Sequence, residues 1–315
     1  MKSGTSTLHR LLAKHENIFI PGGEIHFFDL DDVEQHADFF DGSSGQWQNR
    51  NYDAHFEENL AWYERFFEEA RAEQRVGEDS TTYLPSSRAP RRIRELLPDV
   101  KLIFLLRDPV ARTYSHYWHN VRKGRSVYRF EEQLRYAPST LLQRSFYKRQ
   151  IERYLDVFPS DQIKVILFEA FVENMQRTID EVCRFIGVAP TLNVEKLNTH
   201  RNRSPAPRHA GLQIAANRLL RMARRGRYAG HLPGAASSQR RSLLVRVATL
   251  ARKVVNRFNL TDRPYPPMRD ETRSFLQRLF ARENTGLADL VEADLTAHWP
   301  TMKVNTSSDV ASSQS

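Results

Sequence analysis

The run Leu102-Ile103-Phe104-Leu105-Leu106, feeding directly into Arg107-Asp108-Pro109, constrains the fold of this chain more than any other feature. Successive apolar residues cannot alternate between core and solvent, so the strand they form must be covered on both faces, as in a parallel sheet. Asp followed by Pro then predicts a helix start, because Asp caps the first turn and proline fits within it. The same grammar recurs along the chain. Ile18–Ile20 and Ile163–Phe168 read as buried strands and Val76–Glu78 as a weaker one. Helical periodicity predicts helices at Thr5–Lys14, 53–74, Ala89–Leu97, Ser145–Phe158 and Met175–Gly187, the last ending at its glycine. Strands alternating with helices predict an α/β class: three α/β/α layers around a central parallel sheet.

Charge organises the rest. The net charge is +9, yet residues 196–261 hold fifteen Lys and Arg and no Asp or Glu. Removing that span leaves 32 basic against 38 acidic residues, so the basicity is one local patch. Such a patch suits an anion or an anionic surface: a phosphorylated cofactor, an acidic glycan, a nucleic acid or a membrane surface. Helices are expected at Leu212–Arg225 and Leu243–Phe258, within a basic helical insertion at about 209–261. One domain is expected over 1–300, with a last helical region at Asp270–Asp294 and a disordered tail over 301–315. No apolar run approaches the roughly 18 residues of a spanning helix. Cys183 is the only cysteine and sits in an amphipathic stretch, which predicts a buried structural thiol and a cytoplasmic setting.

Three constellations could carry chemistry. The first is Lys2-Ser3-Gly4-Thr5-Ser6-Thr7, small and polar, opening a helix. Amides at a helix start favour a bound phosphate or sulfate, glycine permits close approach, and Lys2 supplies a mobile cation. The order differs from the triphosphatase loop, where lysine follows the last glycine. The second is Arg107 at a strand end with Ser115 eight residues on, both able to face the crevice beyond the strands' carboxyl ends. The third is Glu24-Ile25-His26, whose carboxylate and imidazole share one face if the segment is extended. Glu24 could then accept a proton from an attacking hydroxyl. Each motif alone also fits a plain structural role: a helix cap, an Arg–carboxylate pair, an exposed Glu–His pair.

Taken in order, the three resemble one family, the sulfotransferases, and most closely their heparan-sulfate and bacterial carbohydrate-type branch. Gly77–Tyr83, Lys101–Pro109, Phe168–Gly187, Tyr265–Pro267 and Phe280–Leu290 resemble that branch as well. The resemblance covers about residues 1–210 and 262–299. It implies a P-loop-like fold and transfer of a sulfo group from 3′-phosphoadenylyl sulfate to a hydroxyl or amine of a carbohydrate or other small acceptor. Lys2, Ser3, Gly4, Thr5, Ser6 and Thr7 would hold the 5′-phosphosulfate, with Lys2 balancing charge on the leaving oxygen. Arg107 and Ser115 would hold the 3′-phosphate. Glu24 would be the catalytic base, and His26 would position it or the acceptor. Arg203, in the loop Thr199–Arg203, would close over the cofactor. No metal and no nucleic-acid partner are implied, and the loops at 29–52 and 116–146 would shape the acceptor pocket.

Some features depart from the family pattern. Asp79 follows Glu78 where many heparan-sulfate-type members have lysine. The basic helices of the insertion have no counterpart in the resemblance; a substrate-facing lid, an oligomer contact, a peripheral membrane contact and a plain solvated helix pair are all open to them. A buried strand is expected before the phosphate loop, yet only Met1 precedes Lys2. The natural start is therefore expected upstream, with the first strand truncated here and Met1 inside a strand-to-loop junction. Two other functions compete. A P-loop-type nucleotide kinase would need a Mg²⁺-holding Asp at a strand end, which is not evident. A non-catalytic protein that binds anions or nucleic acid through residues 196–261 would show salt-dependent affinity without turnover.

Overall fold

The structure is a computed structural model describing residues 2–36, 40–41, 46–47, 51–197, 205–224 and 243–303. Its centre is a parallel pair, β3 (Leu102–Leu106) and β4 (Ile163–Leu167), in register from Leu102 opposite Ile163 to Leu106 opposite Leu167. A second parallel pair joins β1 (Ile18–Phe19) to β2 (Arg75–Val76). Among the described residues these remain two separate pairs, not one continuous central sheet.

The two-residue period of a strand creates the layers. Phe104, Leu106 and Leu167 face one core, with Ile93 of α3 (Ala89–Leu96) and Tyr147, Ile151 and Tyr154 of α5 (Tyr147–Leu155). Leu105 and Ile166 face the other core. There they meet Leu8, Leu11 and Leu12 of α1 (Thr5–Leu12) and Ile179, Val182 and Cys183 of α7 (Met175–Phe185). The expected three-layer arrangement is thus built, and the lone thiol is fully buried as expected. A third core joins α4 (Pro109–Lys123) to α10 (Asp270–Glu283) through Tyr117, Trp118, Val121, Leu276 and Phe280.

Several helices are shorter than their periodicity predicts, for local reasons. The helix expected over 53–74 is α2 (Phe56–Glu64) followed by one 3₁₀ turn at Arg65–Phe67. Beyond it the chain turns back toward β1: Arg71 and Gln74 both donate to the Glu16 carbonyl, at 2.9 and 2.8 Å. The region expected over Asp270–Asp294 breaks after α10. Asn284 is buried and donates to the Ser145 carbonyl at 3.0 Å, and Gly286 takes φ +81°. Within 116–146, treated from sequence as a loop, residues 116–123 continue α4. The insertion forms α8 (Ala210–Arg224) and α9 (Leu243–Asn259), while α6 (Phe168–Glu173) follows β4 directly. The tail beyond Lys303 lies outside the described residues.

Asp108 ties the centre together. One carboxylate oxygen accepts the Ala111 amide at 2.9 Å and caps α4; the other accepts the Thr301 amide at 3.1 Å. Glu169 accepts the Asp108 amide at 3.1 Å and the Trp299 indole N–H at 2.9 Å, so the ends of β3 and β4 share one anchor. Asp108→Ala removes a cap and strands a buried amide, a loss of roughly 2 kcal/mol. Urea unfolding is expected to show that loss as a lower midpoint at an unchanged slope; an unchanged midpoint would contradict the anchoring role.

Candidate active site

The chain enters α1 through two residues with left-handed backbone, Lys2 at φ 67° and Gly4 at φ 94°. The Gly4 carbonyl then accepts the amides of Thr7 at 2.9 Å and Leu8 at 3.1 Å, starting the helix. Amides of a first helical turn have no carbonyl four residues back, so they point outward as donors for an anion. Gly4 is required twice over. A Cβ there would lie 2.8 Å from Cδ2 of Phe168, and its φ lies where side chains are strained. Ser3 is buried, Thr5 and Thr7 are half-buried, and Ser6 is exposed.

Arg107, at the end of β3, donates to the Lys2 carbonyl at 3.2 Å, with its guanidinium 4.8 Å above the Phe168 ring. Two of the sequence-predicted constellations therefore meet. Ser115 is buried on α4. His119 and Arg122 follow it at the four- and seven-residue spacing of one helical face. Burial, then the charges of Arg122, Arg107 and Lys123, push the Lys2 ammonium down to about 8. Burial, then Lys2 and Arg122, push His119 down to about 3, so it is neutral and accepts from Arg122 at 3.3 Å. Cations gathered around a half-buried lysine make a place where a negative charge would be stabilised. Arg122, Lys123 and His119 escaped the motif-based reading, although the spacing from Ser115 was visible.

Glu24 and His26 also meet, but not as expected. The segment is not an extended strand: His26 takes φ 60°, and this left-handed residue brings its Nε2 to 3.2 Å from a Glu24 oxygen. Ser80 fixes the turn, its hydroxyl accepting the amides of Ile25 at 3.2 Å and His26 at 3.0 Å. Thr81 donates to Glu24 at 2.9 Å, and Nδ1 of His26 lies 2.6 Å from the Thr82 hydroxyl. Burial works upward on the Glu24 carboxyl, but the hydrogen bond and charge of His26, with the bond from Thr81, outweigh it and hold the group at about 2. The carboxylate is therefore ionised across the neutral range, and its side chain is 35% exposed. Behind it lies Asp29, fully buried, 3.1 Å from Nε2 of His36 and 3.8 Å from Nδ1 of His26. Ligating atoms of His26, Asp29 and His36 fall within 4.8 Å of one another. Arg144, also in this region, donates to Gln35 at 3.1 Å and interacts electrostatically with Asp29 and Glu24.

One chain of contacts joins the carboxylate to the phosphate loop. His9 of α1 sits 2.5 Å from Asp79, and the neighbouring Ser80 and Thr81 hold the Glu24–His26 turn. Next to them Glu78 accepts from Tyr83 at 2.8 Å, Ser80 at 3.1 Å and Tyr63 at 3.3 Å. Burial raises it to about 7 despite those donors. A carboxyl whose folded value is raised contributes stability fully at acid pH and loses it as pH rises through about 7. Glu78→Gln should therefore be more stable than the parent at pH 8, and that advantage should fall on going to pH 5, where the parent gains stability. Parallel thermal unfolding of both proteins reads this directly; a difference independent of pH would contradict it.

Arg203 and the loop Thr199–Arg203 lie outside the described residues. Comparison with known proteins adds an independent line. The profile of the sulfotransferase family matches residues 1–191. Human heparan sulfate glucosamine 3-O-sulfotransferase 5 is 25% identical over 204 residues, covering 61% of this chain and 52% of the relative. Human bifunctional heparan sulfate N-deacetylase/N-sulfotransferase 2 is 25% identical over 207 residues, covering 61% of this chain and 22% of the relative. The chain thus spans about half the length, or less, of these curated relatives. The crystal structure of a sulfotransferase from Alicyclobacillus acidocaldarius is 25% identical, covers 94% of both chains and superposes with a TM-score of 0.60.

Proposed function

The chain belongs to the sulfotransferase family, and from that premise we propose that it transfers a sulfo group from 3′-phosphoadenylyl sulfate to a hydroxyl or amine of a carbohydrate acceptor. The observation that carries this reading is the junction of Arg107 with Lys2, which sets two anion-binding motifs side by side, linked through His9–Asp79 to the Glu24 carboxylate. The residues fit the donor. Loop amides, Lys2, Ser3, Gly4, Thr5, Ser6 and Thr7 would take the 5′-phosphosulfate; Arg107, Ser115 and Arg122 would take the 3′-phosphate. Arg203 remains a candidate contact from outside the described residues.

In the proposed reaction Glu24 accepts the acceptor proton as the acceptor oxygen or nitrogen bonds to sulfur. The bond from sulfur to the bridging phosphate oxygen breaks, and that oxygen keeps the electron pair. Lys2 offsets the charge it gains, and binding of the anionic donor restores the protonation that burial and neighbouring cations depress. His26, held by Thr82, keeps Glu24 oriented and ionised. The relatives named for heparan sulfate support a sugar acceptor. No metal takes part in this scheme. The buried thiol of Cys183 suits a reducing compartment, and we place the protein in the cytoplasm.

Glu24→Gln should lower transfer by roughly 10²–10⁴-fold while adenosine 3′,5′-bisphosphate binds within about twofold of the parent. Arg107→Ala should instead weaken that binding by about tenfold or more, the worth of a charge-assisted hydrogen bond. Titration calorimetry and a mass-spectrometric transfer assay over a panel of sugars separate the two effects. Full activity in the Glu24 variant, or unchanged binding in the Arg107 variant, would contradict the respective role.

A further inference from the structure

The helical hairpin of α8 and α9 has two unlike faces. Its inner face is satisfied by the domain: Asn217 donates to the carbonyls of Val121 at 2.7 Å and Ser126 at 2.9 Å, and Arg252 to that of Arg122 at 3.1 Å. Ala248 and Asn259 are buried on the same side of α9. At 3.6 residues per turn, Leu243, Val247, Leu250, Val254 and Phe258 form one stripe about 80° wide on the opposite side. They are exposed: 74% for Leu243, 63% for Leu250 and 71% for Phe258. Along one margin of this stripe run the exposed cations Arg246, Lys253 and Arg257. Leu212 of α8 lines a shallow groove with Val254 and Phe258, and Met222 is 72% exposed further along.

We propose that this face docks on an anionic lipid membrane, lying in the plane of the surface. An apolar stripe edged by cations suits the boundary between headgroups and acyl chains, where the apolar residues leave water and the cations meet lipid phosphates. The charge balance selects this occupant: residues 196–261 contain fifteen basic and no acidic residues. A second copy of the hairpin would bring like charges together, and nucleic acid or an acidic glycan offers no cover for the exposed leucines and Phe258. Among the described residues no helix is long and apolar enough to cross a membrane, so the helix lies on the surface and does not span it. The carbonyl of Arg122, whose charge acts on Lys2, accepts from Arg252, so docking would hold the proposed anion site near the lipid surface.

Co-sedimentation of the full chain with vesicles tests this. Binding to phosphatidylcholine vesicles containing about one third phosphatidylglycerol should exceed binding to pure phosphatidylcholine by about tenfold and fall with salt. Leu250→Glu with Phe258→Glu, and separately Arg246→Glu with Lys253→Glu, should each reduce it about tenfold. Both variants should keep the parent's thermal midpoint and its affinity for adenosine 3′,5′-bisphosphate. Equal binding to the two vesicle types, or folded variants that bind like the parent, would overturn the proposal. So would a dimer dissolved by Leu250→Glu, or nucleic-acid binding, in a chain that ignores vesicles.

Discussion

The guanidinium of Arg107 on the carbonyl of Lys2 is the contact on which the rest of the site depends. It closes the mouth of the sheet where β3 ends and binds the turn that starts α1. That turn exists only because Gly4 carries no Cβ: Phe168, the first residue after β4, fills the space. Strand end, helix start and glycine thus fix one another. The arrangement sets the half-buried Lys2 beside Arg122 and Arg107, and burial together with those charges depresses its ammonium, a cost that a bound anion would relieve. The scaffold below is correspondingly firm, with both faces of β3 covered and both oxygens of Asp108 used.

Joined to the loop through His9–Asp79, the protein holds the ionised carboxylate of Glu24. Glu24 is kept negative by His26 and Thr81, and Asp29, His36 and Arg144 stand behind that pair. Two environments of opposite sign, linked through His9–Asp79 and the Ser80–Thr81 backbone, are what the proposed displacement would use: charge compensation for a leaving group and a proton acceptor for a nucleophile. The left-handed backbone at His26 and Lys2 belongs to this arrangement, since strained residues persist where neighbouring contacts over-determine them.

Much of this was legible in the sequence because it is written in local chemistry. The apolar run before Arg107 demanded a strand covered on both faces, Asp108-Pro109 demanded a helix start, and the glycine after Lys2-Ser3 demanded a close approach. Other features depend on distant residues. Nothing near His26 announces a left-handed backbone; it follows from Ser80, more than fifty residues on, capturing two amides. Glu78 stands out in the sequence only through the family resemblance of Gly77–Tyr83; its rise to about 7 follows from burial beside Tyr63 and Tyr83. The early end of α2 likewise reflects the tertiary demand that Arg71 and Gln74 reach Glu16, which outweighs a favourable helical period. The parallel pairing expected from the strand pattern is present, as two parallel pairs among the described residues.

The central claim is that the Lys2–Thr7 loop and Arg107 together form a site for a nucleotide carrying both 5′- and 3′-phosphates. Calorimetric titration of the protein with adenosine 3′,5′-bisphosphate, and separately with ATP and Mg²⁺, tests it most directly. The account predicts saturable one-to-one binding of the bisphosphate without added metal, and much weaker binding of ATP with Mg²⁺. Preference for ATP with Mg²⁺ over the bisphosphate would contradict it.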